Sequence, residues 1–311
     1  MKQKFFKKPL NVVLIAIFCT ALWGSAAPFI KTGYALFDIA SNDTASILVF
    51  AGLRFTLAGV LVIVAGSKIQ NKILLPVKKS IKAIFVLSIF QTMGQYFFYY
   101  VGLAHTSGVN GAIITGTGAF ISLLVAALVF KYERMDLNKV TGCMLGFMGI
   151  VLMNMDDFAS LKVSFLGDGL VLCSQLCSSF SASFIKKYTQ SFNAVMLSGY
   201  QFFVGGILLT LIGILMGGSL LLTNISGMMV LIYLAFVSAC AYTLWGILLS
   251  YHPVSKIGIF NCLIPVVGVL LSSLILHEEA FSMNIVFALI FISFGIYFVS
   301  KEKDPMTMDA S

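Results

Sequence analysis

The sequence predicts an all-α polytopic membrane protein of ten transmembrane helices, arranged as two inverted five-helix repeats. Three observations lead there: too few charges for a soluble surface, ten apolar runs of spanning length, and a self-match between the two halves. Of 311 residues, 59% are hydrophobic and only 10% charged, against about 25% charged residues in a soluble domain. The formal charge of +8 would point to nucleic acid in a soluble chain. Here the basic residues sit in short segments between apolar runs, as membrane topology requires, so no nucleic-acid partner is expected.

A bilayer core asks for about 20 apolar residues per helix. In order, the expected spans are 10–31, 46–66, 80–103, 108–130, 139–155, 168–187, 194–216, 226–249, 256–276 and 281–300. Span 1 follows Lys2, Lys4, Lys7 and Lys8, and with Ser25-Ala26-Ala27 it looks like a cleavable secretory signal. It reads instead as a retained helix, because it is long enough to span and has a counterpart later in the chain. Lys68, Lys72, Lys78, Lys79 and Lys82 mark the turn between spans 2 and 3. Lys131, Arg134 and Lys139 mark the turn between spans 4 and 5. Lys186 and Lys187 end span 6, Lys256 opens span 9, and Lys301 and Lys303 close the series.

With the N-terminus in the cytoplasm, seventeen of the twenty basic residues lie inside; Lys31 and Lys162 lie outside and Arg54 within span 2. The positive-inside rule then puts both termini in the cytoplasm of a cell bounded by this membrane.

A shift of 146 residues superposes 85–150 on 231–296 without a gap. It pairs Phe90 with Phe236, Tyr96 with Tyr242, Leu103 with Leu249, Leu124 with Leu270 and Leu128 with Leu274. It also pairs Glu133 with Glu279, Gly149 with Gly295 and Ile150 with Ile296. A shift of 147 lays GLRFTLAG (52–59) on GYQFFVGG (199–206), and one of 155 lays Phe29-Ile30-Lys31 on Phe184-Ile185-Lys186. The chain divides accordingly into 1–155 (spans 1–5) and 156–311 (spans 6–10). Five spans is an odd number, so the halves must be upside down to one another, and Lys31 outside against Lys186 inside agrees. Inverted repeats of this kind build carriers whose site lies at the repeat interface near the midplane.

Trp23-Gly24-Ser25, Leu53-Arg54-Phe55, Gly102-Leu103-Ala104, Pro265 and Leu276-His277-Glu278-Glu279 complete a pattern that resembles the drug/metabolite transporter superfamily. In that family two EamA-type repeats of five helices make a ten-helix carrier. The resemblance covers nearly the whole chain and implies transport of amino acids, other metabolites or drugs, often as export across the bacterial inner membrane. It leads to a secondary transporter working by alternating access, with amino-acid export first and nutrient uptake or drug efflux as alternatives. One departure stands out. The second repeat has Pro265 in its fourth helix, whereas the first has Ala119 beside the glycine-rich Gly116-Thr117-Gly118.

Polar groups inside a span are costly unless they face protein or water. Gln91, Thr92, Gln95, Tyr96 and Tyr99 share one helical face of span 3, and its partner span 8 offers Tyr242 and Trp245 at the positions of Tyr96 and Tyr99. A cavity lined by them would be uncharged and aromatic, suited to an amphipathic solute. Ser174, Gln175, Ser178 and Ser179 in span 6 are read first as helix-joining hydrogen bonds. Pro28 would free the carbonyl of Gly24 beside Trp23 and Ser25, and Pro265 that of Asn261, giving two candidate hinges and ligand contacts; a kink satisfied by a neighbouring serine is the alternative. Arg54 is the one charge well inside a span. It is expected to reach toward the outer interface or pair with an acidic loop residue; a contact to a substrate carboxylate is the alternative. The second repeat has Gln201 there.

No aspartate or glutamate is expected within any of the ten spans, which favours facilitated diffusion or exchange over proton or sodium coupling. His105, His252 and His277 read as interfacial, and Glu133 and Glu279 as structural residues near the starts of spans 5 and 10. Six cysteines (Cys19, Cys143, Cys173, Cys177, Cys240 and Cys262) lie in apolar runs without zinc spacing, so neither metal nor cofactor is expected. Gly142, Gly146 and Gly149 fit close helix packing, with a homodimer contact as the weaker reading. An intramembrane enzyme would need HExxH, GxSxG or an aspartate pair, and the chain has none. A channel is set aside because inverted repeats are better explained by alternating access. The partners left are the lipid bilayer and a small-molecule substrate.

Overall fold

Helices in this chain begin where a short polar side chain can hold a free N–H of the first turn. In the computed structural model, which describes residues 2–106, 108–155, 164–276 and 283–301, five starts are capped in this way. The carboxyl of Asp43 accepts from Ser46 N, Asp136 from Lys139 N, the hydroxyl of Ser164 from Gly167 N, and the amide oxygens of Asn193 and Asn224 from Met196 N and Gly227 N.

The helices are α1 Pro9–Leu36, α2 Thr44–Ile69, α3 Lys78–Leu103, α4 Asn110–Val129 and α5 Leu137–Met153 in the first half. The second half has α6 Phe165–Tyr188, α7 Ala194–Leu215, α8 Ile225–Tyr251, α9 Val254–Leu271 and α10 Met283–Ser300. A short helix, Lys2–Lys7, precedes them. Among the described residues eight are long and apolar enough to cross a membrane. The other two are α5, of 17 residues, and α6, whose 24 residues are diluted by Gln175 and a run of serines. Lys162, His277, Glu278, Glu279 and Lys303 lie outside the described residues, as does the join at 155/156.

Two corrections concern α6. It starts three residues before the expected 168, and it carries Asp168 in its first turn, where no acidic residue was expected in a span. There the carboxylate accepts from Thr106 Oγ1 at 2.5 Å and Asn110 Nδ2 at 3.2 Å, tying α6 to the α3–α4 turn. A carboxylate held by local donors tolerates a place in an apolar helix.

Two helix crossings define the relation between the halves. At the first, α2 and α7 run antiparallel with Gly52 against Gly206 and Gly59 against Gly199. A Cβ on Gly206 would lie 2.8 Å from Gly52 O, and one on Gly59 would lie 2.7 Å from Gly199 O. The 147-residue shift sends Gly52 to Gly199 and Gly59 to Gly206, so each contact is the image of the other. At the second, Gly142 of α5 meets Gly295 O of α10, where a Cβ would stand at 2.7 Å, and Gly149 meets Ala288 O, at 2.9 Å. The 146-residue shift exchanges these two contacts as well. A pseudo-two-fold axis therefore passes through both crossings, perpendicular to the helices. Gly142 and Gly149 of α5 pack against α10 of the same chain.

Candidate functional site

Between those crossings the axis runs through a set of rings. Tyr96 on α3 and Tyr242 on α8 are repeat partners, and their hydroxyls hydrogen-bond to each other. Two equivalent residues can touch only on the symmetry axis. Phe55 on α2 and Phe202 on α7 are also partners under the 147-residue shift, and they stack with centroids 5.4 Å apart and planes 4° from parallel. Each phenylalanine leans on the tyrosine of its own half: Phe55 on Tyr96 at 4.4 Å and Phe202 on Tyr242 at 5.1 Å. Four rings thus form a symmetric cluster at the repeat interface. Offset and edge contacts of this sort stabilise by about 0.5–1.5 kcal/mol per pair beyond the area they bury.

Trp23 of α1 joins on one side only, with its indole edge-on to Tyr242 at 4.8 Å and to Trp245 at 4.9 Å. Its Nε1 is buried without a hydrogen-bond partner. Gln95 reaches the Tyr242 hydroxyl. Tyr99 faces the next ring along, Tyr100, at 5.6 Å. Ser25 points elsewhere, bonding Leu22 O at 2.7 Å and the Tyr233 hydroxyl at 2.8 Å.

The backbone is irregular where these residues sit. α3 widens into a π-helical stretch at Ser88–Gly94, immediately before Gln95 and Tyr96. Such stretches re-aim the following side chains and recur at functional sites. In α4 the glycine-flanked Thr117 interrupts the helix, its hydroxyl and amide both turned back to Ile114 O. In α9 a 3₁₀ turn spans Ile259–Cys262, just ahead of Pro265. Asn261 lies in that turn with its Oδ1 buried and unpartnered. Pro28 sits inside α1, where the Thr32 hydroxyl returns to Pro28 O at 3.0 Å. Gly24 packs directly on α9, its Cβ position 2.7 Å from Val267.

Arg54 departs from its expected place. The sequence put it toward the outer interface or against an acidic residue; the residue is only 4% exposed, and no described carboxylate pairs with it. Its guanidinium lies over the Phe55 ring at 4.4 Å and the Tyr96 ring at 5.7 Å, with Tyr34, Tyr100 and Tyr242 around it. The reason is register: one residue before Phe55 on α2, it turns with that ring toward the axis. Its repeat partner Gln201 is fully buried and accepts from Thr92 Oγ1 at 2.7 Å.

The serines of α6 act mainly as helix joiners, Ser179 bonding Ser122 of α4 at 2.9 Å. His105 turns back to Val101 O at 2.9 Å, and His252 holds Phe6 O at 2.8 Å beneath α8. The carboxylate of Glu133 accepts from both the amide and the hydroxyl of Ser255 at the start of α9, and lies 3.5 Å from Lys139 Nζ. A narrow cleft of about 10 Å³, one water in size, extends from Thr189 and Ala194 at the α6–α7 turn to Gln91, Gln201 and Tyr242. Sequence reasoning had passed over Phe55, Phe202 and the Glu133–Ser255 contact. The identity of Phe55 with Phe202 was visible in the aligned repeats, but nothing in it said that the two rings touch.

Two antiparallel halves of membrane-spanning helices, meeting on a polar-aromatic cluster, define a membrane transporter of the inverted-repeat kind. The EamA-like transporter family matches residues 10–155 and again residues 165–301, and the chain belongs to that family. An uncharacterized transporter of Archaeoglobus fulgidus is 26% identical over 266 residues, which are 82% of this chain and 89% of that protein. A probable amino-acid metabolite efflux pump of Escherichia coli is 23% identical over 297 residues, covering 91% and 93%. Its Salmonella typhimurium namesake is 24% identical over 296 residues, covering 91% and 92%. A solved crystal structure superposes with a TM-score of 0.76 at 18% identity, over 93% of this chain and 95% of that one, which fixes the fold alone.

Proposed function

We propose that the protein is a secondary carrier that exports amino acids or related amphipathic metabolites from the cytoplasm by alternating access. The observation that carries this reading is the Tyr96–Tyr242 contact on the pseudo-two-fold axis. A site on that axis is reached equivalently from either side as the halves rock, which is what alternating access needs. The four central rings, with Trp23 and Trp245, give an apolar body a place to lie, and the tyrosine hydroxyls and Gln95 supply the polar contacts. The printed names of two relatives, both probable amino-acid metabolite efflux pumps, support the substrate class. The charge distribution supports both termini in the cytoplasm. In that orientation the narrow cleft leads to the axis from the cytoplasmic end, the end at which an exporter loads.

The test is counterflow in liposomes preloaded with a panel of amino acids, amines and aromatic compounds, run with and without a pH gradient. The expected result is exchange of a subset of amino acids. A folded protein that exchanges none of the panel overturns the reading. Single cysteines placed near Lys4 and Lys301 should react only from the cytoplasmic side.

A further inference from the structure

We infer that Arg54 is the receptor for a carboxylate on the cargo, so that the carrier selects free acids over their esters and over the corresponding amines. This rests on the carrier reading above and names the chemistry its site demands.

The argument begins with charge. A guanidinium stays protonated at every accessible pH. Arg54 lies ten residues into α2, is 4% exposed, and has an Nε with no hydrogen-bond partner. Three acidic residues near helix ends are engaged elsewhere: Asp43 with Ser46, Asp168 with Thr106 and Asn110, Glu133 with Lys139 and Ser255. The rings of Phe55 and Tyr96 attract the cation through their faces. They do not saturate a fork of five donors, which matches a carboxylate two bonds at a time.

The second half supplies an internal comparison. At the equivalent position Gln201 fits the same crossing without a charge, its Oε1 bonded to Thr92. The fold therefore does not require a cation there. Gln201 Nε2 and Trp23 Nε1 are also buried donors without acceptors. Near the Tyr96–Tyr242 pair, then, Arg54 Nε, Gln201 Nε2 and Trp23 Nε1 are unanswered donors, and a group rich in acceptors answers them. The tyrosine hydroxyls that surround the guanidinium can donate to the second carboxylate oxygen, while the aromatic faces take the apolar side chain and the ammonium of an amino acid.

The experiment compares phenylalanine and leucine with their methyl esters and with phenethylamine and isoamylamine, in counterflow and in binding to the detergent-purified protein. The wild type should prefer each free amino acid over its ester and its amine by roughly 10- to 100-fold, the range of a charge-assisted bidentate contact. Arg54→Gln, which installs the residue its own partner position tolerates, should erase that preference. Arg54→Lys should keep part of it. A folded Arg54→Gln protein that still separates acid from ester as the wild type does overturns the inference. A wild type that exchanges acids and esters alike overturns it too, but leaves the carrier reading standing. A wild type that exchanges neither these probes nor any other amino acid of the panel removes both.

A second measurement needs no variant. Thermal unfolding of the wild type should shift upward with the amino acid and stay unmoved with the ester. An equal shift with chloride alone would mean a bare counter-ion site and would overturn the inference.

Discussion

Gly59 of α2 is a residue whose enlargement meets only backbone of the facing helix. Alanine there would place its Cβ 2.4 Å from Phe203 N, 2.7 Å from Gly199 O and 2.8 Å from Phe203 Cα, where ordinary contact begins at 3.4 Å. All three obstacles are backbone, so no rotamer change relieves them, and α2 must move off α7 by about 1 Å. Overpacking of this kind costs about 1–3 kcal/mol. Alanine returns up to about 1 kcal/mol through helix propensity. The net loss of about 1–2 kcal/mol should lower the thermal midpoint by several degrees. The midpoint can be followed in detergent through the reaction of Cys19, Cys143 and Cys262, all buried, with a thiol-reactive fluorophore. Gly169 in α6 is the control, since a Cβ there meets nothing within 4 Å, and Gly169→Ala should raise the midpoint slightly. Gly206→Ala opens the same crossing from the other half, so the double variant should cost less than the two singles together. An unchanged or raised midpoint in Gly59→Ala would refute the close crossing.

Glu133→Ala removes the carboxylate that accepts from the Ser255 amide and hydroxyl and lies 3.5 Å from Lys139 Nζ, and should cost about 1–3 kcal/mol; an unmoved thermal midpoint would show that the contact contributes nothing. Tyr96→Ala or Tyr242→Ala should raise the half-saturating cargo concentration at least several-fold in counterflow, and an unmoved value in both would remove the ring cluster from the site. The carboxyl of Asp43 is held below its usual range by hydrogen bonds from Ser46. Its capping contribution is therefore complete above the ordinary carboxylate pKa of 3.8 and is lost as pH falls through the lower folded value. Asp43→Asn should flatten the acid limb of a stability–pH curve while keeping the cap, and an unaltered limb would show that Asp43 contributes nothing there.

The membrane class and the run of helices were legible because hydrophobic length needs no knowledge of what faces what. The repeats were legible because Tyr96/Tyr242 and Gly149/Gly295 survive as identities at one shift. Facing was not legible. In an apolar helix every side is hydrophobic, so periodicity does not tell which side of α2 turns toward the axis, and Arg54 was consigned to the periphery. The π-helical stretch of α3 has no composition of its own, yet it decides where Gln95 and Tyr96 point. The start of α6 was misplaced because Asp168 looked like an end, whereas its carboxylate is satisfied by donors from a turn 58 and 62 residues away.

The contact between Glu133 and Ser255 differs in kind from those on the axis. A two-fold operation returns the Tyr96–Tyr242 bond to itself, so a carrier that alternates between mirror-related states keeps it in both. The same operation sends Glu133 and Ser255 to Glu279 and Val109. Valine brings no hydroxyl, so the image of the Ser255 hydroxyl bond cannot form in the other half, and the pseudo-symmetry of the two repeats is broken at this contact.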